Sequence, residues 1–183
     1  MNKFWGHLKT ITKHRHKVIL HCFKAGIFMQ GLKHDLSKYS PTEFWQGVHY
    51  YQGTRSPNEA EREDIGYSRA WIHHKGRNPH HFEYWTDYDI KTNPIGTKPV
   101  QMPRRYVVEM FCDRVAASKI YRGKDYRDSD PLDYYMREKS RKIHPETDRQ
   151  IKFLLNMLKE KGEKETFRYI RTKFNRRQRH SKG

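Results

Sequence analysis

A capping residue followed directly by proline recurs along the chain, as Ser40-Pro41, Ser56-Pro57, Asn78-Pro79, Asp130-Pro131 and, in weaker form, His144-Pro145. Proline suits the first helical position, where its missing N–H has no helical partner and its fixed φ is already helical; deeper in a helix or sheet it is disruptive. Ser40 and Ser56 are each followed three residues later by an acid, Glu43 and Glu59, the pattern of a capping box. Five helix starts are thereby marked. Together with apolar periodicity they predict helices over about 3–25 (closed by Gly26), 32–38, 41–51, 57–75, 79–85, 103–121, 131–142, 145–161 and 163–174. Residues 87–102, with Pro94, Gly96 and Pro99, read as a long loop over one face. Alternating strand patterns are scarce, and Tyr106-Val107-Val108 fits a helix better than a strand.

With 183 residues there is room for one substantial domain. The expectation is a single all-α bundle over 1–174 with a C-terminal helical layer, in which Ile151, Leu154, Leu155 and Leu158 form an ordinary apolar stripe. The apolar fraction is only 34%, but 14% aromatic residues can supply much of the buried area. No stretch approaches the roughly 20 apolar residues of a membrane span, and Met1–Trp5 lacks the apolar run of a signal peptide. Cys22 and Cys112 lie in apolar helical contexts without a close Cys partner. They read as buried thiols in a reducing, cytoplasmic setting rather than as metal ligands.

Charge is strongly positive and uneven: +17 overall, with +7 in residues 1–38 and +7 in residues 168–183. Such a field favours anions, whether phosphorylated small molecules or, through the basic termini, nucleic acid. The tail 175–183 reads as solvated and disordered.

Against this background His34-Asp35-Leu36-Ser37-Lys38 is the most informative stretch, because other metal-ligand types follow it in order. On a helix, adjacent residues point about 100° apart, so His34 and Asp35 can reach a centre lying between them. His7, His14 and His21 share one helical face, but steps of about 10.5 Å keep them from serving one ion together. His14 is the member chosen, since Val18 and Cys22 turn its face inward. Tyr67, Trp71 and His74 share an apolar face, which points His74 inward as well. His73-His74 and His80-His81 are doublets from which at least one imidazole each is expected to bind metal. Glu83 is the carboxylate expected to orient an imidazole. Asp113 lies on the apolar side of its helix, where an unpaired carboxylate is costly and a metal explains it economically.

The set resembles the HD superfamily of metal-dependent phosphohydrolases. The resemblance rests on His14 with Val18, on Leu32 to Lys38, on the doublets, and on Asp113-Arg114-Val115-Ala116-Ala117. It covers about residues 10–118, and the chain is also similar to an uncharacterised family of small bacterial and phage proteins. Ser37 stands where the HD pattern has Gly, the interval from His14 to His34 is short, and the doublets lie closer together than in larger members. The resemblance implies an HD-like fold with one or two divalent transition ions (Mn, Fe or Zn). His14, His34, Asp35 and Asp113 would hold the first ion and Asp35 would bridge to a second. His74 and His81, or their neighbours His73 and His80, would complete that second ion.

The activity so implied is hydrolysis of a phosphoester, with a nucleotide or related small molecule as substrate. Asp35 and Lys38 would be the catalytic residues, and Lys38 would reach a phosphate oxygen beside the metals. Lys75, Arg77, Arg104 and Arg105 would bind the remaining phosphates. Two other readings compete: an iron-dependent oxygenase on the same ligands, and a non-enzymatic nucleic-acid-binding protein using the charged termini.

Overall fold

The computed structural model describes residues 2–137 and 141–175. It is an all-α single domain with one small hairpin. Helix α1 (Lys3–Ala25) starts where the Asn2 side chain accepts from Phe4 N–H and stops at Gly26, whose φ of 81° is left-handed. Its inner face lies along α6 (Arg104–Arg122), and Val18 and Cys22 pack with Val107, Val108, Phe111 and Val115, all sealed from solvent. Tyr106-Val107-Val108 is thus helical. Helix α8 (Pro145–Tyr169) covers this pair with Ile151, Leu154, Leu155 and Leu158, each fully buried. Burying one such Leu contributes about 1.5–3 kcal/mol, so the expected C-terminal layer is also a principal source of stability. Two helices were expected there, and the backbone does break between them at Gly162, whose φ of 75° and ψ of 173° are not helical; the second continues into a π-turn over Ile170–Phe174.

Other helix boundaries and one loop need correction. The stretch 32–38 is not a helix: α2 (Phe28–Lys33) ends at His34, and a separate 3-10 turn runs over Leu36–Tyr39. The span 57–75 divides into α4 (Pro57–Ile65) and α5 (Arg69–Lys75). The break falls at Gly66, whose φ of 82° only glycine takes without cost, and Ser68 then caps α5 by accepting from Trp71 N–H. Residues 79–85 give only a 3-10 turn, Phe82–Tyr84, and the Asn78 side chain bonds Ser37 and the His74 carbonyl instead of capping it. The expected loop contains an antiparallel pair, β1 (Thr86–Asp89) and β2 (Gly96–Pro99).

Of the two capping boxes, Ser40 does cap α3 (Pro41–His49), accepting from Glu43 N–H, whereas the Ser56 side chain makes no capping bond. Helix α7 covers Asp130–Arg137 and does not reach residue 142. The basic tail beyond Asn175 lies outside the described residues; Asn175 itself donates to the Ala25 carbonyl. No described helix is long and apolar enough to cross a membrane.

Candidate metal centre

The break between α2 and the following turn carries the centre. His34 leaves the helix with ψ 129°, and Asp35 has φ 53°, the only positive φ outside glycine among the described residues. Asp tolerates the left-handed region better than most residues but still bears a cost of about 1 kcal/mol or more. That cost is met where Asp35, 1% exposed, is surrounded by imidazoles.

Its two oxygens face different groups. Oδ2 lies 3.2 Å from His34 Nε2 and 3.9 Å from His14 Nε2, and Asp113 Oδ1 completes this side at 2.9 Å from His14 Nε2 and 3.5 Å from His34 Nε2. Oδ1 lies 3.3 Å from His74 Nε2 and 3.4 Å from His80 Nε2, and His81 Nε2 is 2.9 Å from that of His74. Each group, His14–His34–Asp35–Asp113 and Asp35–His74–His80–His81, offers four ligand atoms within 4.8 Å of one another. α1, the α2 break, α5, the 80–81 turn and α6 each contribute. Both members of the second doublet join, but only His74 of the first. His73 stays out, with its Nδ1 2.6 Å from Glu43 Oε1.

The donor set passes a test independent of any family. His14 Nε2, His34 Nε2, His80 Nε2 and both Asp35 oxygens are buried without a well-formed hydrogen bond. Buried polar atoms rarely go unsatisfied, and these five are gathered in one cluster. A divalent cation would satisfy them together, and mixed imidazole and carboxylate donors suit manganese, iron or zinc.

The electrostatics agree. Burial alone would raise the carboxyl pKa values of Asp35 and Asp113. The imidazoles around them, with Lys38 at Asp35, outweigh it and hold both well below the usual range. Burial, then His80 and His74, drives His81 well down, which favours a neutral ring beside His74. Burial opposes the charge on His34 and His74 too, but Asp35 and the hydrogen-bonded carboxylates raise both. A bound cation would take over that positive charge and release protons. Lys38 Nζ sits 2.7 Å from Asp35 Oδ2; burial opposes its charge, and Asp35 and Asp113 more than restore it.

Two residues that the sequence reading did not place at the site orient these imidazoles. Glu109 Oε1 lies 2.9 Å from His34 Nδ1 and 3.3 Å from His80 Nδ1, and Glu43 Oε2 is 2.7 Å from His74 Nδ1. An Nδ1–H given to a carboxylate fixes the tautomer and aims the Nε2 lone pair at a metal. Burial would raise Glu109, but His34 and His80 bring it down to about 2, so it acts as a carboxylate. Glu83, expected in this role, is half-buried on the turn after His81. The remaining cations stand differently. Lys75 ends α5, Arg77 donates to the His73 carbonyl, Arg104 stacks on Phe174 in the C-terminal layer, and Arg105 lies over Tyr106. Arg104 and Arg105 are about 12–14 Å along α6 from Asp113. His7 and His21 are buried elsewhere, His7 against Phe44 and Tyr51, His21 against Phe167 and Glu163.

Fold and site together define a basic helical protein with two adjoining His/Asp groups that could hold metal. The chain belongs to the family of unknown function DUF5662, whose profile matches residues 3–157 and so spans every ligand named above. No curated protein and no solved structure matches the chain significantly.

Proposed function

We propose that the chain is a metal-dependent phosphohydrolase of HD type, acting on a phosphoester in a nucleotide or related small molecule. One observation carries the reading: Asp35 turns one oxygen to each of two ligand groups, as a carboxylate bridging two ions would. The HD resemblance of the ligand order and the +17 charge, which draws anions, both support it. Divalent ions held here would lower the pKa of a coordinated water toward ~7 and neutralise phosphoryl oxygens.

The chain's own residues supply the rest. His14, His34 and Asp113 hold one side of Asp35, and His74, His80 and His81 the other. Lys38, with its side chain 30% exposed beside Asp35, is placed to bind a phosphate oxygen arriving there. Asp113, at 18%, is the most exposed of the carboxylates and marks the approach side.

The test is elemental analysis of protein produced with manganese and iron available, together with turnover of a nucleotide and phosphodiester panel. Bound metal and chelator-sensitive phosphate release, both lost in Asp35→Ala, are expected. Five imidazoles suit iron equally, so dioxygen uptake by iron-loaded protein without phosphate release would assign the oxygenase instead. Metal-free protein that binds DNA or RNA in a salt-sensitive, chelator-indifferent way would overturn both.

A further inference from the structure

Glu43 and Glu109 do unequal jobs. Glu43 reaches only one metal-facing imidazole, His74, and spends its other oxygen on His73. Glu109 offers the same oxygen to His34, from the first group, and His80, from the second, and its other oxygen takes a hydrogen bond from Gln30 Nε2. His34 and His80 lie with ring centroids 4.3 Å apart, and the Nδ1 of each faces this one acceptor. Neither ring can turn without disturbing the carboxylate that also sets the other. Asp35 joins the two groups from within; Glu109 joins them from behind.

We infer that Glu109 is a positioning residue that couples occupancy of the two metal groups, whereas Glu43 positions the second group alone. The inference rests on the two-ion reading of the centre. Filling the first group fixes His34, which fixes Glu109 and so prepares His80 for the second ion. Loss of an orienting carboxylate usually weakens metal affinity by about 10–100-fold. For Glu43 that loss falls on one ion and for Glu109 on both.

The experiment is metal titration, with stoichiometry read by elemental analysis, of wild type, Glu43→Leu and Glu109→Leu, using manganese as the probe. Leucine removes the acceptor at similar volume. Wild type is expected to bind two ions per chain. Glu43→Leu should keep one at near-native affinity, with the other weakened about 10–100-fold, and Glu109→Leu should weaken both. Circular dichroism checks folding of each variant. Should Glu109→Leu not fold, Gln30→Ala, which loosens Glu109 without removing it, decides the matter by weakening both affinities in parallel. Selective loss of one ion on disturbing Glu109, or loss of both on removing Glu43, overturns the inference while leaving the two-ion centre intact. Three ions in wild type, one of them lost outright in Glu109→Leu, would place a cation directly on His34, His80 and Glu109 and overturn it too. A metal-free wild type would instead defeat the functional reading beneath it.

Discussion

The two sides of the α1–α6 pair bury opposite kinds of chemistry. Toward α8 the interior is aliphatic and aromatic: Val18, Phe111, Val115, Leu154 and Leu155 belong to one buried apolar cluster. Toward the α2 break and α5 it is imidazole and carboxylate, with His14, His34, Asp35, His74 and His80 all under a tenth exposed. The first side stabilises the fold by removing apolar area from water. The second, taken alone, burdens it, since desolvating ionisable groups costs several kcal/mol even when they are paired. The proposed metal centre accounts for so costly an interior beside an adequate apolar one.

That contrast can be broken by substitution. Asp35→Ala is expected to lower turnover on the order of 10³-fold or more, about 4 kcal/mol of barrier, and to empty the centre, with the helical circular dichroism signal retained. Collapse of the fold would make Asp35 a structural residue. Leu155→Ala should do the reverse: about 2–5 kcal/mol lost in chemical denaturation, with metal stoichiometry unchanged in the folded fraction. Altered stoichiometry in that variant would mean the two sides are not separable.

His7 sharpens the comparison, being an imidazole in the interior outside both ligand groups. Burial first, and Lys38 second, push its pKa down to about 4 from an ordinary 6.5. The unfolded chain therefore binds a proton there below about pH 6.5 that the native chain refuses until about pH 4. Stability from this group is complete above pH 6.5 and falls as pH drops through that window, by at most about 3 kcal/mol. Denaturation of wild type and His7→Gln from pH 7 to pH 4 should show the variant losing less; parallel curves would mean His7 is not held neutral.

The ligands themselves were legible in the sequence because their residue types are rare inside proteins and their helical phase aims them inward, as at His14, His74 and Asp113. Local geometry was less so. The His-Asp pair reads as helical by neighbours such as Leu32 and Leu36, yet tertiary demand puts Asp35 into a left-handed turn. Gly66 and Ser68, which end α4 and cap α5, lie inside the span 57–75 that the sequence reading took as one helix. The β1–β2 hairpin left no alternation to read, since none of its residues is buried.

Glu43 was assigned to a cap, and its side chain goes to histidines about 30 residues away. Glu109, 75 residues from His34, had one local signal. It precedes Asp113 by four residues, so the two acids share one face of α6.

The shared carboxylate is the centre of this account, and electron paramagnetic resonance of the manganese-loaded protein tests it most directly. Two ions joined through Asp35 are expected to give an exchange-coupled spectrum, lost in Asp35→Ala. A spectrum of isolated manganese ions at full loading, or no manganese bound at all, would contradict it.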